Sequence, residues 1–129
     1  MIGRLLLIFT TIILISFSLN SEKWIAPASA DALVNPYSST EEKILKKGQK
    51  IFSKMCWSCH GLSGNGDGPA AGALINKPGD FTTTEFQQQS DGAIFWKLST
   101  GRGQMVGFED IMTDDDRWKL VTYLRTYAK

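Results

Sequence analysis

The sequence predicts a helical fold whose helices are joined by long loops. Three observations predict it. Apolar residues recur at three- and four-residue intervals between Ile44 and Met55, a second such stripe follows Thr113, and the stretches between them are rich in glycine. At 129 residues the chain has room for one domain, and its 43% hydrophobic content includes an apolar block at the N-terminus that reads as separate from the fold.

Met1-Ile2-Gly3-Arg4 is a short positive start, and an apolar stretch runs from Leu5 to Leu19. Pro27 then precedes Ala28-Ser29-Ala30, an A-x-A cleavage pattern. Residues 1–30 therefore read as a secretory signal peptide cut before Asp31, with residues 31–40 as a linker broken by Pro36 and residues 41–129 as the folded domain. The rival reading is an uncleaved membrane anchor, but the stretch is shorter than the ~20 residues a spanning helix needs. The expectation is a periplasmic or otherwise exported protein without a membrane span after cleavage, leaving association with a membrane complex open. Beyond Ala30 the chain carries 12 basic and 12 acidic residues, so no strong field points towards nucleic acid. Its 99 residues are few for a stable core.

Ser39 stands three residues before Glu42, a capping-box spacing that predicts a helix running to Met55. Ile44, Leu45, Gly48, Ile51, Phe52 and Met55 form its apolar stripe. A mid-helix glycine costs ~1 kcal/mol against alanine, so Gly48 signals close approach of another helix.

Cys56-Trp57-Ser58-Cys59-His60 follows directly, a C-x-x-C-H run. Its two thiols can each add across a porphyrin vinyl group, and the adjacent imidazole is then delivered to one face of the iron, so the motif points to a covalently held haem. Three other readings fit less well. A structural zinc site is about one ligand short, because the chain has two Cys and one His in all. A thioredoxin-like pair needs a βαβ setting, whereas helix precedes the motif and glycine-rich loop follows. A structural disulfide leaves His60 unexplained. Covalent haem would also supply part of the core that so short a chain lacks.

Gly61 to Gly79 holds six glycines with Pro69 and Pro78 and reads as a loop wrapping the haem edge. It is no phosphate loop, since no Gly-Lys-Ser/Thr follows. Phe81 to Gln89 is polar, with Phe81 and Phe86 as packing residues. Ser90 or Asp91 caps a short helix through Ile94, Phe95 and Leu98 that ends near Gly101, and a loop bearing Met105 runs to Asp110. Thr113 and the carboxylates of Asp114, Asp115 and Asp116 start the last helix, where the dipole favours negative charge. Three adjacent carboxylates do not converge readily on a metal. That helix is expected to reach Tyr127, with Trp118, Val121, Tyr123 and Leu124 inward and Arg125 and Lys129 suiting its C-terminal end. The Trp57 and Trp96 indoles read mainly as packing groups whose N–H can reach a haem propionate, and Arg102 and Gln104 are weaker candidates for that contact.

The order of helix, C-x-x-C-H, loop, short helix, Met-bearing loop and terminal helix resembles small class I c-type cytochromes over residues 41 to 128. The echoes are Gly48 with Phe52, Gly64-x-Gly66-Asp67-Gly68-Pro69, Asp91-Gly92 with Phe95-Trp96, Gly101-Arg102, Met105, and Asp116-Arg117-Trp118 with Tyr123-Leu124-Arg125. The resemblance implies an all-α fold, the small cytochrome c fold, with its first and last helices crossing near Gly48 and Trp118 and long loops around one covalently bound haem c. It implies Met105 as the second axial ligand opposite His60, ahead of Met112 or an open site, and the Pro69 carbonyl as acceptor for the His60 ring N–H. Val106 stands where the family often has proline after its methionine ligand.

With one His, bis-histidine ligation within the chain is excluded. The first expectation for function is a non-enzymatic single-electron carrier that meets redox protein partners at its haem edge. The alternative is a haem enzyme or gas-binding sensor with a weak or open sixth position, which would need a distal acid or base that no second His supplies.

Overall fold

The computed structural model describes residues 23–129, so the apolar Leu5 to Leu19 stretch expected to act as the signal segment lies outside the described residues. Five α-helices follow in order: α1 (Glu42–Met55), α2 (Trp57–His60), α3 (Thr84–Gln87), α4 (Asp91–Thr100) and α5 (Asp114–Leu124). Short 3-10 turns occupy Ala28–Ala32, Ala71–Ala73 and Arg125–Tyr127. The described residues contain no β-strand beyond an isolated bridge between Arg102 and Met105, and none of their helices is long and apolar enough to cross a membrane. The fold is all-α.

The α1 stripe is narrower than its spacing predicts. Ile44, Gly48 and Phe52 are buried, whereas Met55 is 42% exposed, because α1 meets its neighbour along one row of its surface. The expected Ser39 cap does not form. Glu41 takes the N-cap position, and its carboxylate accepts from the Ser38 backbone N–H at 3.3 Å instead.

Helices α1 and α5 make the closest pair in the fold. A Cβ on Gly48 would lie well inside contact distance of the Lys119 carbonyl oxygen and 2.6 Å from Tyr123 Cβ. The crossing at Gly48 is therefore real, but its partner is the Lys119 to Tyr123 turn and not Trp118. The Trp118 indole points to α4 and stacks on Phe95, with centroids 3.9 Å apart and planes at 16°. Phe95 also receives the buried Arg117 guanidinium, 4.7 Å from its centroid.

The caps of α4 and α5 follow the sequence reading. Ser90 Oγ accepts from Ala93 N at 3.0 Å, and Thr113 Oγ1 accepts from Asp116 N at 3.1 Å. Helix α5 ends at Leu124, and its last turn tightens to 3-10 geometry through Tyr127. Arg125 does more than face a helix dipole. Its guanidinium donates to the Gln87 carbonyl at 2.9 Å, the Gln89 carbonyl at 2.6 Å and Asp91 Oδ1 at 2.7 Å, pinning the α3–α4 junction to the end of α5. Helix α3 itself was not apparent in the polar Phe81 to Gln89 stretch; the Thr83 hydroxyl caps it by accepting from Phe86 N.

The core gathers Phe52, Cys56, Phe81, Ile94, Phe95, Leu98, Phe108, Leu120, Val121 and Leu124. Several of these also form the wall of a large cavity, so the core is built around a space.

Candidate haem site

The loop after the C-x-x-C-H run folds back over its short helix and satisfies the carbonyls that a helix end leaves open. Gly66 N donates to His60 O at 2.8 Å, Gly68 N to Cys59 O at 3.0 Å and Ala70 N to Ser58 O at 2.8 Å. Gly66 has φ +74°, and a Cβ there would run into the Pro78 carbonyl, so only glycine lets the loop pass. This folding-back brings residues 78–81 beside His60.

The His60 Nδ1 lies 3.0 Å from the Gly79 carbonyl oxygen. A carbonyl can only accept, so Nδ1 carries the hydrogen and the Nε2 lone pair is left available to a metal. The expected acceptor was the carbonyl of Pro69; that residue is exposed and does not line the cavity. The reason is steric: the glycines place the chain ten residues later, beyond Pro78, against the ring. Phe81 stacks on the imidazole with centroids 4.5 Å apart and planes at 19°, holding the ring in one orientation. Burial pushes the His60 pKa below its ordinary value, with the Gly79 hydrogen bond working in the opposite direction, so the ring stays neutral and able to act as a ligand.

Cys56 and Cys59 are both free thiols. Burial pushes the Cys56 thiol up to about 12, with Cys59 adding to the effect, which keeps the proton on sulfur. Both cysteines and His60 line one cavity of about 800 Å³. Its apolar wall includes Phe81, Ile94, Leu98, Phe108, Leu120 and Leu124, and Lys77, Lys97, Arg102 and Gln104 give it a polar, basic side.

Met105 lines the same cavity. It sits in a tight turn closed by Arg102 N to Met105 O at 2.9 Å and Met105 N to Arg102 O at 3.0 Å, following Gly101 at φ +66°. Met112 packs against the core without lining the cavity. Trp57 and Trp96 are also outside the lining, whereas Arg102 and Gln104 are part of it. The Gln104 side chain is engaged by the Ile75 backbone N–H at 2.7 Å.

These residues fit a haem: two unpaired thiols and an available imidazole nitrogen share a cavity with an apolar wall and cationic side chains suited to carboxylates. Among the described residues no cluster of three or more His, Cys, Asp or Glu is placed to hold a metal ion directly. The cytochrome c family model matches residues 45–128. The chain belongs to the cytochrome c family. Membership implies a covalent c-type haem and haem-based electron transfer.

Among solved structures, a chain of the Kuenenia stuttgartiensis reducing HAO-like protein complex Kustc0457/Kustc0458 is 33% identical with a TM-score of 0.65, over 73% of this chain and 47% of that one. This chain thus spans about half of that subunit. The KustC0563 c-type cytochrome is 28% identical with a TM-score of 0.54, over 64% of this chain and 98% of its own. Cytochrome cL from Methylophaga aminisulfidivorans shares the cytochrome c fold at 18% identity and a TM-score of 0.55, over 68% of this chain and 57% of that one. No curated protein sequence matches the chain.

Several contributors to the site were missed in the sequence, Lys77 among them. The Gly79 carbonyl carries no side-chain signal, and Phe81 read only as a packing residue. Lys97 stands three residues after Ile94 and one before Leu98, a helical spacing that marks it as sharing their face. Trp24 lay in the segment assigned to the signal peptide, yet it lines the cavity.

Proposed function

We propose that the chain is an exported single-electron carrier holding one haem c, with His60 and Met105 as axial ligands and Cys56 and Cys59 as thioether attachments. The observation that carries this reading is the convergence of His60, both cysteines and Met105 on one cavity. When bound, the haem supplies one-electron oxidation and reduction of its iron. Cys56 and Cys59 would hold it through thioether bonds, each supplying its sulfur to one vinyl group of the porphyrin.

The protein's part is to hold the ligands still. Gly79 and Phe81 fix the His60 ring in tautomer and plane, and the hydrogen-bonded turn around Arg102 fixes Met105. Little rearrangement then accompanies a change of oxidation state. A methionine ligand also raises the potential.

Among the described residues the cavity lining contains no Asp, no Glu and no imidazole besides His60. That favours a carrier over a haem enzyme that works through a distal carboxylate or imidazole. Ile75 at 89% exposure, Val106 at 55% and Met55 at 42% line the cavity and reach solvent, offering an apolar rim for a small, transient interface with redox protein partners. The similarity to a subunit of an HAO-like complex supports a protein assembly as one such partner. Two assays test the reading together. Acid-acetone extraction should leave the haem on the chain, and the oxidised protein should show a methionine–iron charge-transfer band at the red end of its spectrum. Extractable haem would remove the covalent site; a high-spin spectrum with rapid cyanide binding would favour the enzyme or sensor.

A further inference from the structure

We infer that the mature domain keeps the segment from Lys23 to Asn35, whose Trp24 closes the haem crevice, so the bond after Ala30 is not the processing site. Retention stands on packing alone; the covering role rests on the proposed haem.

The Ala28-Ser29-Ala30 run, read in sequence as a cleavage signal, forms a 3-10 turn held by Ala30 N to Pro27 O at 2.9 Å and Leu33 N to Ala30 O at 3.0 Å. Ala30 is 2% exposed. Its carbonyl faces Gly92 of α4, where a Cβ would collide with it and lie 2.9 Å from the Leu33 carbonyl. Gly92 costs helix stability, and the nearest atoms for which its missing side chain makes room belong to this segment. Asp31 accepts from the hydroxyl of Ser90, the residue that caps α4. The Asn35 amide donates to Asp91 Oδ2 at 2.8 Å and Thr122 Oγ1 at 3.0 Å. A segment destined for removal has no reason to match partners from residue 90 to residue 122.

The upstream end reaches the cofactor site. Trp24 lines the cavity and is only partly exposed; its ring centroid is 5.6 Å from Lys97 Nζ and 6.0 Å from the Arg102 guanidinium carbon. Lys23 pairs with Glu85 at 2.8 Å and fastens that end to α3. Indole over two cations screens the crevice from water and holds those cations towards it.

Exporting the full chain with haem attachment and reading the mature N-terminus by sequencing and intact mass tests retention. An N-terminus at or before Lys23 supports it, and one after Lys23 overturns it. In the holoprotein, Gly92→Ala should lower the melting temperature; an unchanged or raised value overturns the packing, since alanine otherwise improves a helix. Trp24→Ala should lower the midpoint potential by admitting water to the crevice, with Trp24→Phe close to wild type. An unchanged potential in Trp24→Ala overturns the covering role. A mass without haem would sink the carrier reading, and the same spectrum would still report the N-terminus.

Discussion

Gly48 in α1 packs against the backbone of Lys119 in α5, so closely that a Cβ would overlap the Lys119 carbonyl oxygen and stand 2.6 Å from Tyr123 Cβ. Both obstacles are anchored atoms of a helix, so neither can swing aside. Gly48→Ala gains ~1 kcal/mol of helix propensity but overpacks the crossing. A net loss of about 2 kcal/mol in unfolding free energy is expected for the holoprotein, read as a lower denaturant midpoint. A stabilised Gly48→Ala would mean that the helices do not meet there.

The His60 to Gly79 hydrogen bond takes the place expected of the Pro69 carbonyl. Pro69→Ala should leave the spectrum and midpoint potential as they are, because Pro69 is exposed and away from the imidazole. Removing Phe81, which stacks on the ring, should broaden the distribution of His60 orientations. Phe81→Leu is therefore expected to lower the potential and destabilise the holoprotein by roughly 1 to 3 kcal/mol, since the smaller side chain leaves part of the ring's volume unfilled. A shifted potential in Pro69→Ala would restore the original expectation.

Met105 and Met112 give a contrast. Met105→Ala should open the distal face, abolish the charge-transfer band, lower the potential and admit cyanide. Met112→Ala should keep the band and cost roughly 1 to 2 kcal/mol, below the range for a fully buried methionine, since Met112 is only partly buried against the core. Loss of the band in Met112→Ala alone would reassign the ligand and leave the carrier reading standing. If neither variant changed the spectrum, methionine ligation would be lost.

Acid should weaken the fold through identifiable carboxylates. Hydrogen bonds from Lys119 and Tyr37 hold the Asp115 carboxyl below its ordinary value, and the Thr82 hydroxyl and backbone N–H do the same for Asp80. A depressed carboxylate contributes stability that is present above its unfolded value and is lost as pH falls through the folded one. Melting temperature should therefore be level near neutrality and fall below about pH 4. Asp115→Asn should flatten part of that acid limb, and an acid limb identical to wild type would show that this pair contributes nothing. Because Asp115 is exposed, added salt should reduce its share of the effect.

The helical repeat of Ile44, Gly48 and Phe52, the caps at Ser90 and Thr113, and the C-x-x-C-H run were legible because each is a local pattern, set by bonds and spacings within one turn or one helix. The cofactor class was legible for the same reason: two thiols and an imidazole in five residues admit little other chemistry. Local signals also misled. The Ser39–Glu42 spacing satisfied the capping-box pattern, yet Glu41 was better placed to meet the Ser38 N–H.

Tertiary structure decided whatever depends on residues distant in the chain. Gly79 rather than Pro69 meets His60 because the conformation of the glycine loop, not its residue identities, sets which carbonyl arrives at the ring. Trp118 faces Phe95 and not Gly48 because it lies on the side of α5 that packs on α4, whereas Lys119 and Tyr123 meet Gly48 of α1. Trp24 lines the cavity because Gly92 leaves space on α4 for the Ala28–Ala32 turn. Sequence by itself determined α1, α4 and α5, the caps at Ser90 and Thr113 and the attachment motif, since short-range geometry is enough to specify those. Which carbonyl, which ring and which cation surround the cavity follows from close packing between elements, where one absent Cβ decides what may approach.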